Sequence, residues 1–149
     1  MYKKRLQDLS NTQQGFTLLE VLITCAIIAI LSAIAWPMYQ NYVTKGNRTA
    51  ASTCAMEYAQ YMERFYTTNM RYDEDEGGSA NTLPQLECAR VIADSYSFGL
   101  SNLTATSYTI TATPQGTQES RDTGCAVLSL SHTGRKSVSG DDALNKCWR

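Results

Sequence analysis

The stretch from Phe16 to Pro37 holds a single charge, Glu20, in 22 residues. About 20 apolar residues in a row suffice to cross the hydrocarbon core of a bilayer as a helix. A carboxylate inside such a run is costly unless a partner neutralises it, so its presence points to a role. The run is preceded by a basic start, Met1-Tyr2-Lys3-Lys4-Arg5, and then by a polar stretch that ends in Gln13-Gln14-Gly15.

Two ordinary explanations compete for this segment. A secretory signal peptide has a basic start, an apolar stretch and a small-residue cleavage site, for which Ala33-Ile34-Ala35 would serve. Here, however, Gln7 to Gly15 separates the charges from the apolar core, and a secretory signal has no use for Glu20. A plain membrane anchor fits the length but also leaves Glu20 unexplained.

At 149 residues, with a formal net charge of -1, the chain holds one small domain besides the apolar segment. Removing residues 1–15 takes away Lys3, Lys4, Arg5 and Asp8, leaving 10 basic and 13 acidic residues. That balance excludes a nucleic-acid binder relying on bulk charge, though not one using a local patch. Of the five cysteines, Cys25 lies in the apolar run and Cys54, Cys88, Cys125 and Cys147 follow it. Four cysteines behind an export signal imply two disulfides and an oxidising compartment, with three connectivities open. None forms a close Cys-x-x-Cys pair, so no zinc site is expected.

The helical pattern continues past the apolar run. Asn47, Ala51, Cys54, Tyr58, Met62 and Phe65 recur at spacings of three and four, one stripe of an amphipathic helix extending from about Phe16 to Tyr66. Pro37 introduces a kink by removing a helix hydrogen bond, and Gly46 is a second soft point. Asn69 to Pro84 reads as a loop. Strand signals follow: Tyr96, Phe98 and Leu100 alternate, as do Tyr108, Ile110 and Ala112, and then Ala126, Leu128 and Leu130. Pro114 to Gly124 reads as a connection, and Ser131-His132-Thr133-Gly134 as a hairpin turn into a short strand ending at Val138. The expected fold class is α+β, with a long N-terminal helix on an antiparallel sheet of about four strands.

The arrangement Gly15/Phe16-Thr17-Leu18-Leu19-Glu20 resembles the processing and assembly signal of type IV pilins. Later segments, Tyr108-Thr109-Ile110 before Pro114, Asp122-Thr123-Gly124-Cys125 and Cys147-Trp148, look like the small minor pilins of the PilE and ComP type. The resemblance implies the type IV pilin fold. It also implies a leader, residues 1–15, cut after Gly15 by a prepilin peptidase, and methylation of the new amine on Phe16. Glu20 would pair with that amine on a neighbouring subunit, setting register during assembly. Residues 16–40 would be the transmembrane and fibre-core half of the helix and residues 41–149 the globular domain. The implied disulfides are Cys54–Cys88 and Cys125–Cys147. The implied partners are other pilins, the inner-membrane assembly machinery, membrane lipid before assembly, and the peptidase, which is also the N-methyltransferase. The implied location is the inner membrane, single pass with the N-terminus cytoplasmic, followed by the cell-surface pilus.

Little in the chain suggests catalysis, and no cofactor or metal is expected. The single histidine, His132, falls in a turn, and no nucleophile has an assignable base. The acidic run Asp73 to Glu76 carries oxygen ligands of the kind calcium takes, but Pro84 stands where a twelve-residue loop needs its glutamate. The basic residues Arg135, Lys136, Lys146 and Arg149, with Trp148 among them, are candidate contacts for double-stranded DNA. They combine phosphate-binding charge with an aromatic for stacking, although Asp141 and Asp142 lie among them. The leading expectation is therefore a minor structural subunit of a type IV pilus, serving assembly, motility, adhesion or DNA uptake. The alternatives are a DNA-binding receptor pilin for natural transformation and a pseudopilin of a type II secretion system.

Overall fold

The computed structural model describes residues 15–148. The dominant element is a 52-residue helix, α1 (Leu18–Asn69). It runs unbroken through Pro37 and Gly46. The chain divides into two compact units, one reaching to Tyr39 and one from Gln40 to Arg149.

In the first unit the apolar side chains have no cover. Leu19, Leu22, Ile23, Ile28, Leu31 and Ile34 are all more than half exposed. In the second unit α1 buries one stripe, Ala51, Cys54, Ala55, Tyr58 and Met62. Asn47 and Phe65, expected on that stripe, are only half-buried.

Four strands form one antiparallel sheet in the order β1-β2-β3-β4, with β1 at Tyr96–Ser101, β2 at Thr109–Pro114, β3 at Leu128–Ser131 and β4 at Lys136–Val138. The register places Phe98 opposite Ala112, Leu100 opposite Ile110, Ile110 opposite Leu130 and Ala112 opposite Leu128. Because side chains alternate between faces with period two, these residues share the face that completes the core with α1. Each fully buried large aliphatic there, such as Ile110 or Leu128, stabilises the fold by roughly 1.5–3 kcal/mol. The opposite face pairs Ser97 with Thr113, Gly99 with Thr111, Ser101 with Thr109 and Ser129 with Ser137. It carries hydroxyls and one glycine.

The structure corrects the sequence reading at several points. Ala126 does not belong to a strand. Its φ is 50° and its N–H bonds to the Asp122 carbonyl at 2.8 Å, so β3 begins only at Leu128. Three short helices lie outside the expected elements: α3 (Gly116–Arg121) falls in the segment that reads as a connection, and α2 (Glu87–Val91) and α4 (Leu144–Cys147) fall where the sequence assigns no element. None is long enough to show a helical period. The turn from Ser131 is a hairpin between β3 and β4. Ser131 N–H donates to the Arg135 carbonyl at 3.0 Å, and Gly134 takes the left-handed conformation (φ 76°) that a three-residue loop of this type needs.

Disulfides join Cys54 on α1 to Cys88 on α2, and Cys125 to Cys147 on α4. The second encloses a tight crossing in which Asp142 N–H donates to the Gly124 carbonyl at 2.7 Å. The acidic loop uses its carboxylates internally. Arg71 holds Asp73 at 2.7 Å and also contacts Glu74, while Asp75 Oδ1 accepts from the N–H groups of Gly77 and Ser79. The Arg71 guanidinium keeps the Asp73 carboxyl below its usual range.

Candidate functional site

The site at the start of α1 is built from a local signal. Thr17 precedes the helix, and its hydroxyl accepts the backbone N–H of Glu20 at 3.2 Å. Thr17-Leu18-Leu19-Glu20 is a capping-box sequence, in which a threonine satisfies an orphan N–H three residues on. The sequence reading missed this role for Thr17, although the Thr-x-x-Glu pattern before an apolar run was there to find it. The cap fixes the first turn and holds Glu20 where the helix dipole favours a negative charge. Phe16, just outside the helix, is 82% exposed. Residues 1–14 of the expected leader lie outside the described residues, and Gly15 is the first one described. Among the described residues, one helix is long and apolar enough to cross a membrane.

The expected DNA-contact residues are only partly brought together. Lys136 Nζ lies 5.2 Å from the centre of the Trp148 ring, a cation–π arrangement. Trp148 itself is 8% exposed and donates its indole N–H to the Ser137 carbonyl at 3.0 Å. A ring buried in this way is no stacking platform for a base, which corrects the expectation of an available aromatic. Lys146 Nζ is held by the Asp142 carboxylate at 2.7 Å, so much of its charge is met inside the protein. Arg135 is exposed in the β3–β4 hairpin, and Arg149 lies outside the described residues. His132, in the same hairpin, is exposed and sets its ring edge-on to Tyr108 at 6.2 Å. Cys125, Asp142 and Cys147 cluster closely enough to suggest metal ligands, but the two sulfurs are bonded to each other.

A buried polar network ties α1 to the sheet and to α3. Asp122 receives Arg48 Nη1 on one oxygen, and Tyr96 OH (2.8 Å) and Gln118 Nε2 (3.0 Å) on the other. Gln118 Nε2 also lies 3.0 Å from the Thr44 carbonyl, and Asn47 donates to Ser95 at 3.0 Å. Nearer the other end of α1, the Glu63 carboxylate accepts the hydroxyls of Tyr72 at 3.1 Å and Tyr108 at 2.9 Å. Burial, reinforced by Glu63, pushes the Tyr72 phenol up to about 12. Burial raises Tyr96 and Tyr108 as well, with the Asp122 and Glu63 carboxylates adding to it.

Residues 37–129 match the family described as "Type IV minor pilin ComP, DNA uptake sequence receptor". The chain belongs to that family of type IV pilins. Residues 10–36 match the prokaryotic N-terminal methylation motif, which spans Gly15, Phe16 and Glu20. The long helix on a four-stranded antiparallel sheet, closed by disulfides, is the type IV pilin fold in this chain, and pilins are structural subunits rather than enzymes.

Individual relatives resemble this pilin chiefly over short stretches. The type IV major alpha-pilin of Moraxella bovis is 55% identical over 42 residues, 28% of this chain and 26% of that protein. The prepilin peptidase-dependent protein D of Escherichia coli K12 is 38% identical over 83 residues, 56% of each chain. The matches to these relatives thus span between a quarter and little more than half of their lengths. Among solved structures, a type IV pilin from Shewanella oneidensis aligns at 24% identity, covering 71% of this chain and 98% of that one with a TM-score of 0.49. The non-core minor pilin PilV of Neisseria meningitidis aligns at 21% identity over 69% of this pilin and 94% of its own chain, also at 0.49. The ComP-family match ends at residue 129, before Arg135, Lys136, Lys146 and Trp148.

Proposed function

We propose that this pilin is a minor filament subunit, held in the inner membrane by residues 16–40 with its N-terminus cytoplasmic and then drawn into a cell-surface type IV pilus. A prepilin peptidase would cut between Gly15 and Phe16 and methylate the Phe16 amine. The observation that carries this reading is the uncovered apolar half of α1 headed by a capped turn bearing Glu20. An apolar surface of that extent needs lipid or other helices around it. A bilayer supplies the first cover, and the packed helices of neighbouring pilins supply the second. Within such a packed core a lone carboxylate is strongly unfavourable, while one paired with a Phe16 amine is tolerated. The pair would therefore select the register at which subunits enter. Glu20→Gln should leave cleavage after Gly15 intact and cut incorporation into surface fibres. Unchanged incorporation would remove the register role.

A second reading rests on the matched family, described as a DNA uptake sequence receptor. On this reading the displayed domain binds duplex DNA, with Arg135 and Lys136 on the β3–β4 hairpin as phosphate contacts and Lys146 and Arg149 as lesser ones. Trp148 would act as the platform that positions Lys136. The affinity should fall with salt by a slope of roughly two charges, and Arg135→Glu with Lys136→Glu should abolish it. Absence of binding at low salt would end this reading.

A further inference from the structure

A cleft of about 290 Å³ opens beside Lys45 in the second unit. Lys45 and Arg48 of α1, Arg121 and Asp122 at the end of α3, and Asp142 and Lys146 of the disulfide-closed region line it. Four cations thus face two carboxylates, and both carboxylates are occupied. Asp122 is engaged by Arg48, Tyr96 and Gln118, and Asp142 by Lys146.

Arg48 is 8% exposed, and among the described residues its side chain is held through Nη1 on Asp122. Arg48 also lines the cleft, and none of its donors is both buried and unpartnered. Among the described residues, Lys45 has no carboxylate in salt-bridge range. A largely buried guanidinium lining a cleft beside an exposed lysine is a phosphate-recognising arrangement.

We propose that this cleft holds the phosphate of an anionic phospholipid headgroup while the pilin sits in the membrane. Along the sequence Lys45 stands only eight residues after Pro37, the end of the apolar run. Leu18 to Pro37 is the length that spans a hydrocarbon core. Trp36, Tyr39 and Tyr42, all strongly exposed, are the residue types that gather at headgroup depth. A lysine on the next turn extends its stem toward the same layer. One concave cleft suits a single phosphate group, whereas a duplex backbone presents a row of them and calls for a stripe of cations. On leaving the membrane for the filament the subunit gives up this lipid, so the cleft favours the membrane-held form until the assembly machinery extracts it.

The proposal rests on the membrane-held form proposed above, and the test separates the two. The full chain is placed in nanodiscs of phosphatidylcholine containing a minority of phosphatidylglycerol, and lipids retained on the released protein are read by native mass spectrometry. The expected result is enrichment of phosphatidylglycerol roughly tenfold over its share of the disc. Lys45→Glu with Arg121→Glu should abolish the enrichment, and Arg64→Glu, outside the cleft, should leave it. If the double reversal misfolds, Lys45→Gln should still lower the enrichment severalfold. Insertion without enrichment, or enrichment that survives these changes, overturns the proposal alone. Displacement of the lipid by a short duplex at low salt assigns the cleft to nucleic acid and likewise overturns it. Failure to insert overturns the membrane-held reading and the proposal with it.

Discussion

Arg48 and Asp122 stand 74 residues apart in sequence and form an ion pair buried in the globular domain, with 8% and 4% of their surfaces exposed. The pair fastens the middle of α1 to the end of α3. Because Tyr96 and Gln118 share the same carboxylate, it also fastens α1 to the edge strand β1. Removing one member of such a pair strands the other charge away from water. Asp122→Asn should therefore destabilise the oxidised protein by about 3 kcal/mol, measured by urea unfolding. A loss below about 1 kcal/mol would place the pair among surface bridges.

A sequence could not have announced this pair. Arg48 sits on a helix turn whose apolar neighbours carry the pattern, and Asp122 follows a segment that reads as a connection. Elements with a strong period were legible: the Cys54-Tyr58-Met62 stripe, and the alternations Tyr96-Phe98-Leu100 and Leu128-Leu130. Helices of four to six residues such as α3 and α4 were not, because they end before a second turn can show its spacing. Trp148 looked available for stacking because its neighbours are charged. Its burial follows from a partner, the Ser137 carbonyl, set by the β3–β4 register. The two sulfur pairings came with the family resemblance, since spacing alone leaves three connectivities open.

The tyrosines around Glu63 give a pH signature. Tyr72 is pushed up to about 12, above its ordinary value near 10, first by burial and then by Glu63. Tyr96 and Tyr108 are raised for the same kind of reason. A phenol with a raised folded pKa contributes stability that is fully present below about pH 10 and is lost as pH climbs towards the folded value. Tyrosinate absorbance should therefore show Tyr72, Tyr96 and Tyr108 titrating late, coincident with loss of the fold. Glu63→Gln should bring Tyr72 earlier. Titration of these three near pH 10 in folded protein would contradict the arrangement.

Gly140 packs against the backbone of Gly124 within the region closed by Cys125–Cys147. A Cβ added at Gly140 would run into the Gly124 carbonyl group, which is main chain and cannot swing aside. Gly140→Ala should thus cost about 1–3 kcal/mol through forced backbone shifts, seen as a lower unfolding midpoint with both disulfides intact. Gly46→Ala is the control. Nothing lies near its added Cβ, and alanine favours the helix, so stability should rise by up to about 1 kcal/mol.

Thr17 and Glu20 separate capping from charge. Thr17→Ala removes the acceptor for the Glu20 N–H and should fray the first turn of α1 by about 1 kcal/mol. It leaves the carboxylate in place. Glu20→Gln does the reverse. If register depends on the charge, Glu20→Gln should reduce incorporation far more than Thr17→Ala, with both cleaved normally. Equal defects would assign the motif to helix initiation.

The most direct measurement is mass spectrometry of fibres sheared from the cell surface, reading the N-terminal peptide of this chain. The expected result is a peptide that begins at methylated Phe16, present beside a more abundant pilin and strongly depleted in fibres from Glu20→Gln cells. A mature chain that stays in the membrane fraction and never enters surface fibres would contradict the account.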